Sequence, residues 1–189
     1  PRRVEVTAHA RALLGRVLHG HGVSARITEV EAYGGVNDPA SHAFTRTSRS
    51  EIMCGEPWRL YVYRCYGMHF CANIVTGPTE EASAVLIRAG EVIDGVGLAR
   101  QRRGERVLGI GLARGPGNFA SALGLTLDDL GSDLLTGETV RLGHAPTSTP
   151  DVSEGPRVGV SKAANVPWRF WITGDPTVSA YRRSPRASP

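Results

Sequence analysis

Hydrophobic positions follow a helical spacing near the start of the chain. Four apolar residues fall at i, i+3, i+4 and i+7, namely Ala10, Leu13, Leu14 and Val17. Thr7 stands where an N-cap is expected, and Gly20 and Gly22 follow the last apolar position. The pattern predicts an amphipathic packing helix that ends before these glycines.

The next segment alternates between residue types as a β-strand does. From Ala25 to Tyr33, the alternation places four side chains on one face, namely Ile27, Glu29, Glu31 and Tyr33. The other face then carries Arg26, Thr28 and Val30. A carboxylate and a tyrosine are therefore predicted side by side on one strand face.

The rest of the chain mixes loops, strands and short helices. Residues 34–58 are rich in Gly, Pro, Ser and Thr and predict a long loop, a kind of segment that is usually functional. A β-hairpin follows, with its tip near Gly67. The further predicted elements are a strand at 84–89, a helix at 91–106, a short helix after the Gly-Pro-Gly turn at 115–117, a hairpin at 134–142 around Gly137, and two strand-like runs within 157–176.

Length and cysteine content limit the classes of protein. A chain of 189 residues predicts a single domain, 1–189, with its own core. It has neither the roughly 20 apolar residues of a membrane span nor the apolar core of a secretory signal, so a soluble protein of the bacterial cytoplasm or nucleoid is expected. Cys54, Cys65 and Cys71 lack a disulfide or zinc spacing. A metal site of Cys65, His69 and Cys71 is conceivable, but buried thiols are favoured, and we expect no metal and no cofactor.

The charge balance is compatible with a polyanionic partner. The formal net charge is +4, although many basic proteins bind no nucleic acid. Lys162 is the only lysine among 22 basic residues. This scarcity matters for mechanism, because an enzyme that forms a Schiff base needs an amine.

Candidate chemistry concentrates in two segments. Glu31 and Tyr33 precede a loop that contains His42, and the hairpin brings further flat rings, which are suited to binding bases: Tyr63, Tyr66 and His69, followed by Asn73. A purely structural interpretation has equal weight at this point. The tyrosines would be half-buried sheet residues, His42 would cap a turn, and Glu31 would form a cross-strand ion pair with Arg88.

Five sequence blocks extend the comparison beyond single residues. They are TEVEAYGG with His42 downstream, RLYVYRCYGMHFCANI, VLIRAGEVIDG, ARGPGNFASALGL and RVGVSKAANVPWRF. In these blocks, and in their order, the chain resembles the alkyladenine (3-methyladenine or methylpurine) DNA glycosylases over nearly its whole length. The resemblance implies a single α+β domain with a curved, mostly antiparallel β-sheet, a protruding β-hairpin and surrounding helices.

The resemblance also implies a water-based hydrolysis. Glu31 matches the family's general base, which removes a proton from water as that water attacks the sugar carbon. Arg88 matches the arginine beside this water, and the backbone carbonyl of Val158 matches a third contact to it. Glu29 lies on the same predicted strand face, but Glu31 directly precedes AYGG, as the family's base does.

Four residues resemble the walls of the family's base pocket. Tyr33 matches the ring that stacks on one face of the flipped base, and His42 and Tyr63 match the pair on the other face. Asn73 matches an asparagine that crowds the exocyclic amine of normal guanine, while a backbone N–H at His42 would bond an acceptor at position six of the purine. Cationic alkylated purines are expected to stack especially well on tyrosine.

Other residues resemble the family's contacts to the DNA duplex, so the expected partner is double-stranded DNA with damaged purines, bound by a monomer. Tyr66 matches the side chain that fills the gap left by the flipped nucleotide, with Met68 and His69 beside it. Arg46, Thr47 and Arg49 match a phosphate-contacting RTPR segment in which Ser48 here replaces the proline. Asn118 stands where many members have a lysine, which predicts a shallower salt dependence of binding.

Three alternatives stay open at the level of sequence. A bifunctional glycosylase would attack the sugar with the amine of Pro1 or Lys162 and then cleave the strand. A non-catalytic module for distorted DNA would keep the rings and arginines without needing Glu31. A hydrolase of free nucleosides would not need the wedge at Tyr66.

Overall fold

The computed structural model describes residues 5–188, so Pro1 and any role for its amine lie outside the described residues. Three α-helices and nine strands, with three short 3-10 helices at Glu51–Cys54, Gly109–Gly111 and Leu127–Asp129, make up the regular structure of this part of the chain. In chain order the α-helices and strands are α1 Val6–Leu13, β1 Val17–Gly20, β2 Val23–Tyr33, β3 Leu60–Cys65, β4 His69–Val75, β5 Ala84–Asp94, α2 Val96–Arg103, β6 Ala113–Arg114, α3 Pro116–Ala122, β7 Val140–Leu142, β8 Val152–Gly155 and β9 Arg169–Ile172.

The strands form one antiparallel sheet with β2 and β5 at its centre. The order along the sheet is β3-β4-β5-β2-β1-β7, β6 pairs with β5, and β9 pairs with both β2 and β8. The sheet curls into a half-barrel, and the three helices make the fold α+β. The predicted fold class is therefore confirmed. In the described part of the chain, no helix has the length and apolar character needed to cross a membrane.

A β-bulge in β2 decides which residues face the core. Ile27 pairs with Gly90 and Glu29 with Ala89, so Thr28 is an extra residue in the ladder. Because of it, Ile27 packs in the core with Val30, whereas Glu29 and Glu31 face the other way. The predicted alternation was therefore wrong for Ile27, which was expected on the face of Glu29 and Glu31, whereas Val30 lies opposite these carboxylates as predicted, since a one-residue insertion exchanges the two faces.

Several predicted boundaries were also wrong, mostly because glycines interrupt the pattern earlier than expected. Helix α1 ends at Leu13, before Gly15 with φ +83°, and Val17 begins a strand. Thr7 lies inside this helix, and Glu5 is its N-cap. The helix expected at 91–106 begins only at Val96, because its first residues continue β5 as far as Gly95, whose φ is +72°.

Two predicted strand pairs near the end of the chain are replaced by long-range pairs. At 134–142 the Leu142 N–H donates to the Leu134 carbonyl over 2.8 Å, as a hairpin would require, but only Val140–Leu142 forms a strand, β7, and its ladder partner is β1. In the tail, β9 is confirmed, but its neighbour β8 lies before the predicted region. Residues 157–160 have no regular structure, which leaves their backbone groups available for contacts with β2.

The hairpin of β3 and β4 carries an exposed tip. Cys65 pairs with His69, and the turn between them has Tyr66 and Gly67 at its centre with φ values of 51° and 68°. Two successive positive φ values are typical of the tight turns that join twisted antiparallel strands. The turn leaves Tyr66 91% exposed and Met68 79% exposed.

Candidate active site

A cavity of about 370 Å³ opens where β2, β3, β4 and β5 meet the loop at 157–160. It brings together every residue predicted for the base pocket and the water site. Its lining includes Glu31, Tyr33, His42, Tyr63, Asn73, Arg88 and Val158, together with Tyr66 at the rim. The sequence prediction of a clustered acid and rings therefore agrees with the positions of these residues.

Glu31 is fully buried and is held from both sides of its carboxylate. The backbone N–H of Val158 donates to Oε1 over 2.7 Å, and the Tyr33 hydroxyl donates to Oε2 over 2.7 Å. Nη1 of Arg88 lies 3.4 Å from Oε1. These donors fix the orientation of a carboxylate that faces the cavity.

Glu29 occupies a different position although it lies two residues away on the same strand. Its carboxylate accepts hydrogen bonds from Nε of Arg88 at 3.0 Å, Nη1 of Arg169 at 3.1 Å and the backbone N–H of Ser179 at 2.7 Å. It does not contribute to the lining of the cavity. Of the two carboxylates, only Glu31 can meet a molecule bound there.

Arg88 connects the two carboxylates. Burial opposes the charged form of its guanidinium, but the charges of Glu31 and Glu29 outweigh burial and raise the pKa of Arg88. The structural alternative for Glu31, a cross-strand ion pair with Arg88, is thus present as a secondary contact. The closer hydrogen bond of Arg88 goes to Glu29.

One wall of the cavity is a cluster of three rings. The His42 and Tyr63 rings lie 4.7 Å apart between centroids at an interplanar angle of 74°, and Tyr61 lies 5.4 Å from Tyr63. The Tyr61 hydroxyl is 3.2 Å from Nδ1 of His42. Partial burial, assisted by the charge of Arg49, lowers the pKa of His42 below 6.5, so its imidazole is neutral at pH 7.

Tyr33 also lines the cavity, and its ring is backed by a buried ion pair. The guanidinium carbon of Arg157 lies 4.8 Å from the centroid of the Tyr33 ring. Arg157 donates to both carboxylate oxygens of Asp38, at 2.7 and 2.8 Å, and to the carbonyl of Ala32 at 3.0 Å. Burial of Tyr33, followed by its contact with Glu31, raises the pKa of the Tyr33 hydroxyl well above 10, which keeps the hydroxyl a donor.

Sequence reasoning missed Tyr61, Asp38 and Arg157. The block RVGVS drew attention to Val158, but an arginine beside it gives no sign that it is 1% exposed. Asp38 lies in a loop with no periodic pattern. Only the fold shows that these two charges meet across 119 positions of the chain.

The cavity lining also contains an amide and two thiols. The Asn73 side-chain amide donates to the Tyr61 carbonyl over 3.1 Å, which orients the rest of that side chain. Cys65 and Cys71 are free thiols on the cavity lining. Burial, together with its neighbour Cys65, raises the pKa of Cys71 to about 12, so it is a protonated thiol at neutral pH. Among residues 5–188, no group of three His, Cys, Asp or Glu side chains is placed to hold a metal ion.

The residues predicted to contact DNA lie around this cavity rather than in it. Met68 and His69 are exposed at the hairpin and line a second cavity, of about 380 Å³, on the side of the hairpin that faces α3. In that helix the Asn118 amide donates to the carbonyl of Arg114 over 2.8 Å.

In the long loop, the polar groups of two predicted phosphate contacts are bonded within the protein. Arg46 pairs with Glu51 and with Glu80, and Thr47 bonds Ser50. Arg49 differs, because it forms no ion pair with a described residue. Its guanidinium carbon lies 4.8 Å from the centroid of the Tyr63 ring, and its guanidinium also bonds the Tyr61 hydroxyl.

Comparison with known proteins agrees with the resemblance that the sequence blocks indicate. The family model of methylpurine-DNA glycosylase (MPG) matches residues 2–176. A protein of Mycobacterium bovis (strain BCG / Pasteur 1173P2) is 50% identical over 191 aligned residues, which cover 97% of this chain and 93% of the relative. A Nocardia farcinica (strain IFM 10152) protein is 50% identical with 97% and 91% coverage, and one of Mycobacterium leprae (strain Br4923) is 48% identical with 97% and 88% coverage. Each of the three is named "Putative 3-methyladenine DNA glycosylase". The chain therefore belongs to the methylpurine-DNA glycosylase family and is a DNA glycosylase, a hydrolase of N-glycosyl bonds.

Proposed function

We propose that this glycosylase acts as a monomer on duplex DNA, rotates an alkylated or deaminated purine into the cavity, and hydrolyses its N-glycosidic bond with a water activated by Glu31. One observation carries the proposal. A buried carboxylate, held by the Tyr33 hydroxyl and the Val158 amide, faces a cavity lined by aromatic rings. The names of the bacterial relatives support damaged purines as substrates. An enzyme that acts on bacterial DNA would work at the nucleoid.

The aromatic walls are suited to hold a flat base. A purine between Tyr33 on one side and His42 with Tyr63 on the other gains about 1 to 3 kcal/mol from stacking. Every purine has π faces, so these walls accept several lesions. Selection falls to the edges of the base, where the Asn73 side chain would crowd the exocyclic amine of guanine and the His42 N–H would bond an acceptor at position six.

In the proposed reaction, the sugar of the flipped nucleotide lies over Glu31. As the bond between the sugar carbon and the base breaks, its electron pair leaves with the base and positive charge develops on the sugar. Water attacks the same carbon, and Glu31 takes the proton that this water loses. The charge of the carboxylate also stabilises the developing cation. Arg88 lies beside this position, and the carbonyl of Val158 would add a contact to the water while its N–H holds Glu31.

Tyr66 is proposed to hold the gap in the duplex. Its ring is 91% exposed at the tip of a tight turn and also contributes to the lining of the cavity. Flipping a nucleotide costs a few kcal/mol of unstacking, which an inserted ring offsets. Removal of this ring is expected to slow excision from paired sites more than from mismatched sites.

The decisive test is a Glu31→Gln variant in single-turnover excision from duplexes that carry 7-methylguanine, hypoxanthine or ethenoadenine. Gln keeps the shape but cannot take a proton, so excision is expected to slow by about 10² to 10⁴ while the affinity for DNA changes little. An unchanged rate would refute the mechanism. If the parent and the variant bound the duplexes equally and the parent excised no base, the result would instead support a DNA-binding module.

Two further assays separate the remaining alternatives. A bifunctional enzyme would give a covalent protein–DNA adduct with borohydride, and we expect none, since Lys162 is exposed and does not line the cavity. A nucleoside hydrolase would release hypoxanthine from free inosine as fast as from DNA. We expect excision from the duplex only, because Tyr66 can fill the gap left by a flipped nucleotide only in a duplex.

A further inference from the structure

A guanidinium stands behind one aromatic wall of the cavity. The guanidinium carbon of Arg49 lies 4.8 Å from the centroid of the Tyr63 ring. Tyr63, Tyr61 and His42 all line the cavity, whereas Arg49 does not. The rings therefore separate the charge of Arg49 from a base stacked inside the cavity.

The charge of Arg49 is not offset by a carboxylate among residues 5–188. Arg157 lies at the same distance, 4.8 Å, from the Tyr33 ring, but it is paired with Asp38. Arg46, in the same loop, is paired with Glu51 and Glu80. No such ion pair joins Arg49 to a described residue, so this wall carries a net positive charge. The lowered pKa of His42, to which Arg49 contributes after burial, is consistent with that field.

We propose that Arg49 is a specificity-determining residue that favours neutral damaged purines over cationic ones, an inference that rests on the proposed function. A ring attracts a cation through the electron density of its face. A guanidinium on the outer face of Tyr63 competes for that attraction and repels a cationic purine on the inner face. The stacking preference for cationic bases expected from tyrosine walls alone is therefore reduced on this side.

The positive charge of Arg49 also acts on the base as it leaves the sugar. A neutral base such as hypoxanthine gains negative charge as it takes the electron pair of the breaking bond, and Arg49 stabilises that charge. A cationic base such as 7-methylguanine only loses positive charge and leaves as a neutral molecule. Both bases take the same electron pair, so Arg49 assists the chemical step of both. In the second-order rate constant, which compares the transition state with free enzyme and DNA, Arg49 still favours the neutral lesion, because the cationic base carries one more positive charge throughout.

The test compares hypoxanthine with 7-methylguanine in matched duplexes under single-turnover conditions. Arg49→Met removes the charge but keeps the length of the side chain, and Arg49→Lys keeps the charge. We expect Arg49→Met to lower the ratio of the second-order rate constant for hypoxanthine to that for 7-methylguanine by about threefold or more. Arg49→Lys is expected to keep most of the parent ratio. The effect is limited because Arg49 is exposed and water screens its charge.

Arg46→Met is the matched control, since Arg46 lies in the same loop and matches the same phosphate-contacting segment. A phosphate contact serves every lesion alike, so this variant is expected to change both rate constants by the same factor. If Arg49→Met also changed the rate constants for both lesions by the same factor, Arg49 would be a phosphate contact only and the inference would be wrong. Failure of the proposed function can be told apart from failure of this inference. In that case the parent protein would excise neither lesion, or the Glu31→Gln variant would excise them as fast as the parent.

Binding to DNA that cannot be cleaved provides a second test of the inference. Duplexes with non-cleavable 2′-fluoroarabino analogues of the two lesions report binding alone. Arg49→Met is expected to strengthen binding of the cationic analogue relative to the neutral one. An unchanged ratio of the two dissociation constants, together with unchanged rate ratios, would overturn the inference.

Discussion

The backbone N–H of Val158 donates a 2.7 Å hydrogen bond to Oε1 of Glu31, a residue 127 positions earlier in the chain. The loop that supplies this N–H has no regular structure and is anchored by the neighbouring Arg157, which is paired with Asp38. The orientation of the carboxylate therefore depends on contacts that lie outside the cavity.

Removal of this N–H should slow excision. Val158→Pro lacks the donor, whereas Val158→Ala keeps it and is the control. We expect Val158→Pro to be about tenfold slower or more, because a hydrogen bond to a charged group contributes roughly 1.5 to 3 kcal/mol. Val158→Ala is expected to stay near the parent rate. Equal single-turnover rates in the two variants, with equal unfolding curves, would show that the donor is not needed.

The Tyr33 hydroxyl and the Tyr33 ring have separable roles. Tyr33→Phe removes only the 2.7 Å hydrogen bond to Glu31 and should lower the single-turnover rate about tenfold while lesion affinity is kept. Tyr33→Leu also removes the stacking face and should weaken binding, by about 5-fold or more. Rates and dissociation constants on one lesion duplex measure both effects. A rate for Tyr33→Phe equal to that of the parent would argue against control of Glu31 by this hydroxyl.

The Arg157–Asp38 pair should matter mainly for stability. Asp38→Asn leaves a guanidinium that is 1% exposed without its counter-charge, and loss of one partner of such a pair costs about 3 to 5 kcal/mol. Urea unfolding of parent and variant measures this difference. Arg46→Met, which breaks an exposed pair with Glu51 and Glu80, is the control and should leave the free energy of unfolding close to that of the parent. A similar loss of unfolding free energy in both variants would contradict the stabilising role of the Arg157–Asp38 pair.

His42 should make stability depend on pH in the acid range. Its pKa in the folded protein is below the ordinary value of 6.5, mainly because of burial and then because of Arg49. The unfolded chain then binds more protons as the pH falls below 6.5, so this contribution is present above 6.5 and is lost as the pH falls through the folded pKa. The His42→Gln variant lacks this contribution. Urea unfolding of the parent and of His42→Gln at pH 7.5 and 5.5 should show that the parent exceeds the variant in free energy of unfolding by less at pH 5.5. An equal or larger difference at pH 5.5 would be evidence against a neutral imidazole in the folded protein.

The sequence by itself determined the family, the fold class and most of the pocket. The alternation around Glu31 and the apolar hairpin of β3 and β4 are local signals, because a strand presents every second residue to the same side. Five ordered blocks then indicated the family that the comparison establishes. These features are encoded by short stretches of neighbouring residues, which is why they could be predicted.

Only the tertiary structure decided why Glu29 is kept from the cavity and what holds Glu31 in place there. The bulge at Thr28 reversed the faces of β2, and no local pattern marks an inserted residue. Arg88, Arg169 and the Ser179 N–H saturate Glu29, while Val158 and Tyr33 hold Glu31 open to the cavity. The partners of a buried charge come from wherever the fold brings the chain together, so their identity is a property of packing and not of sequence spacing.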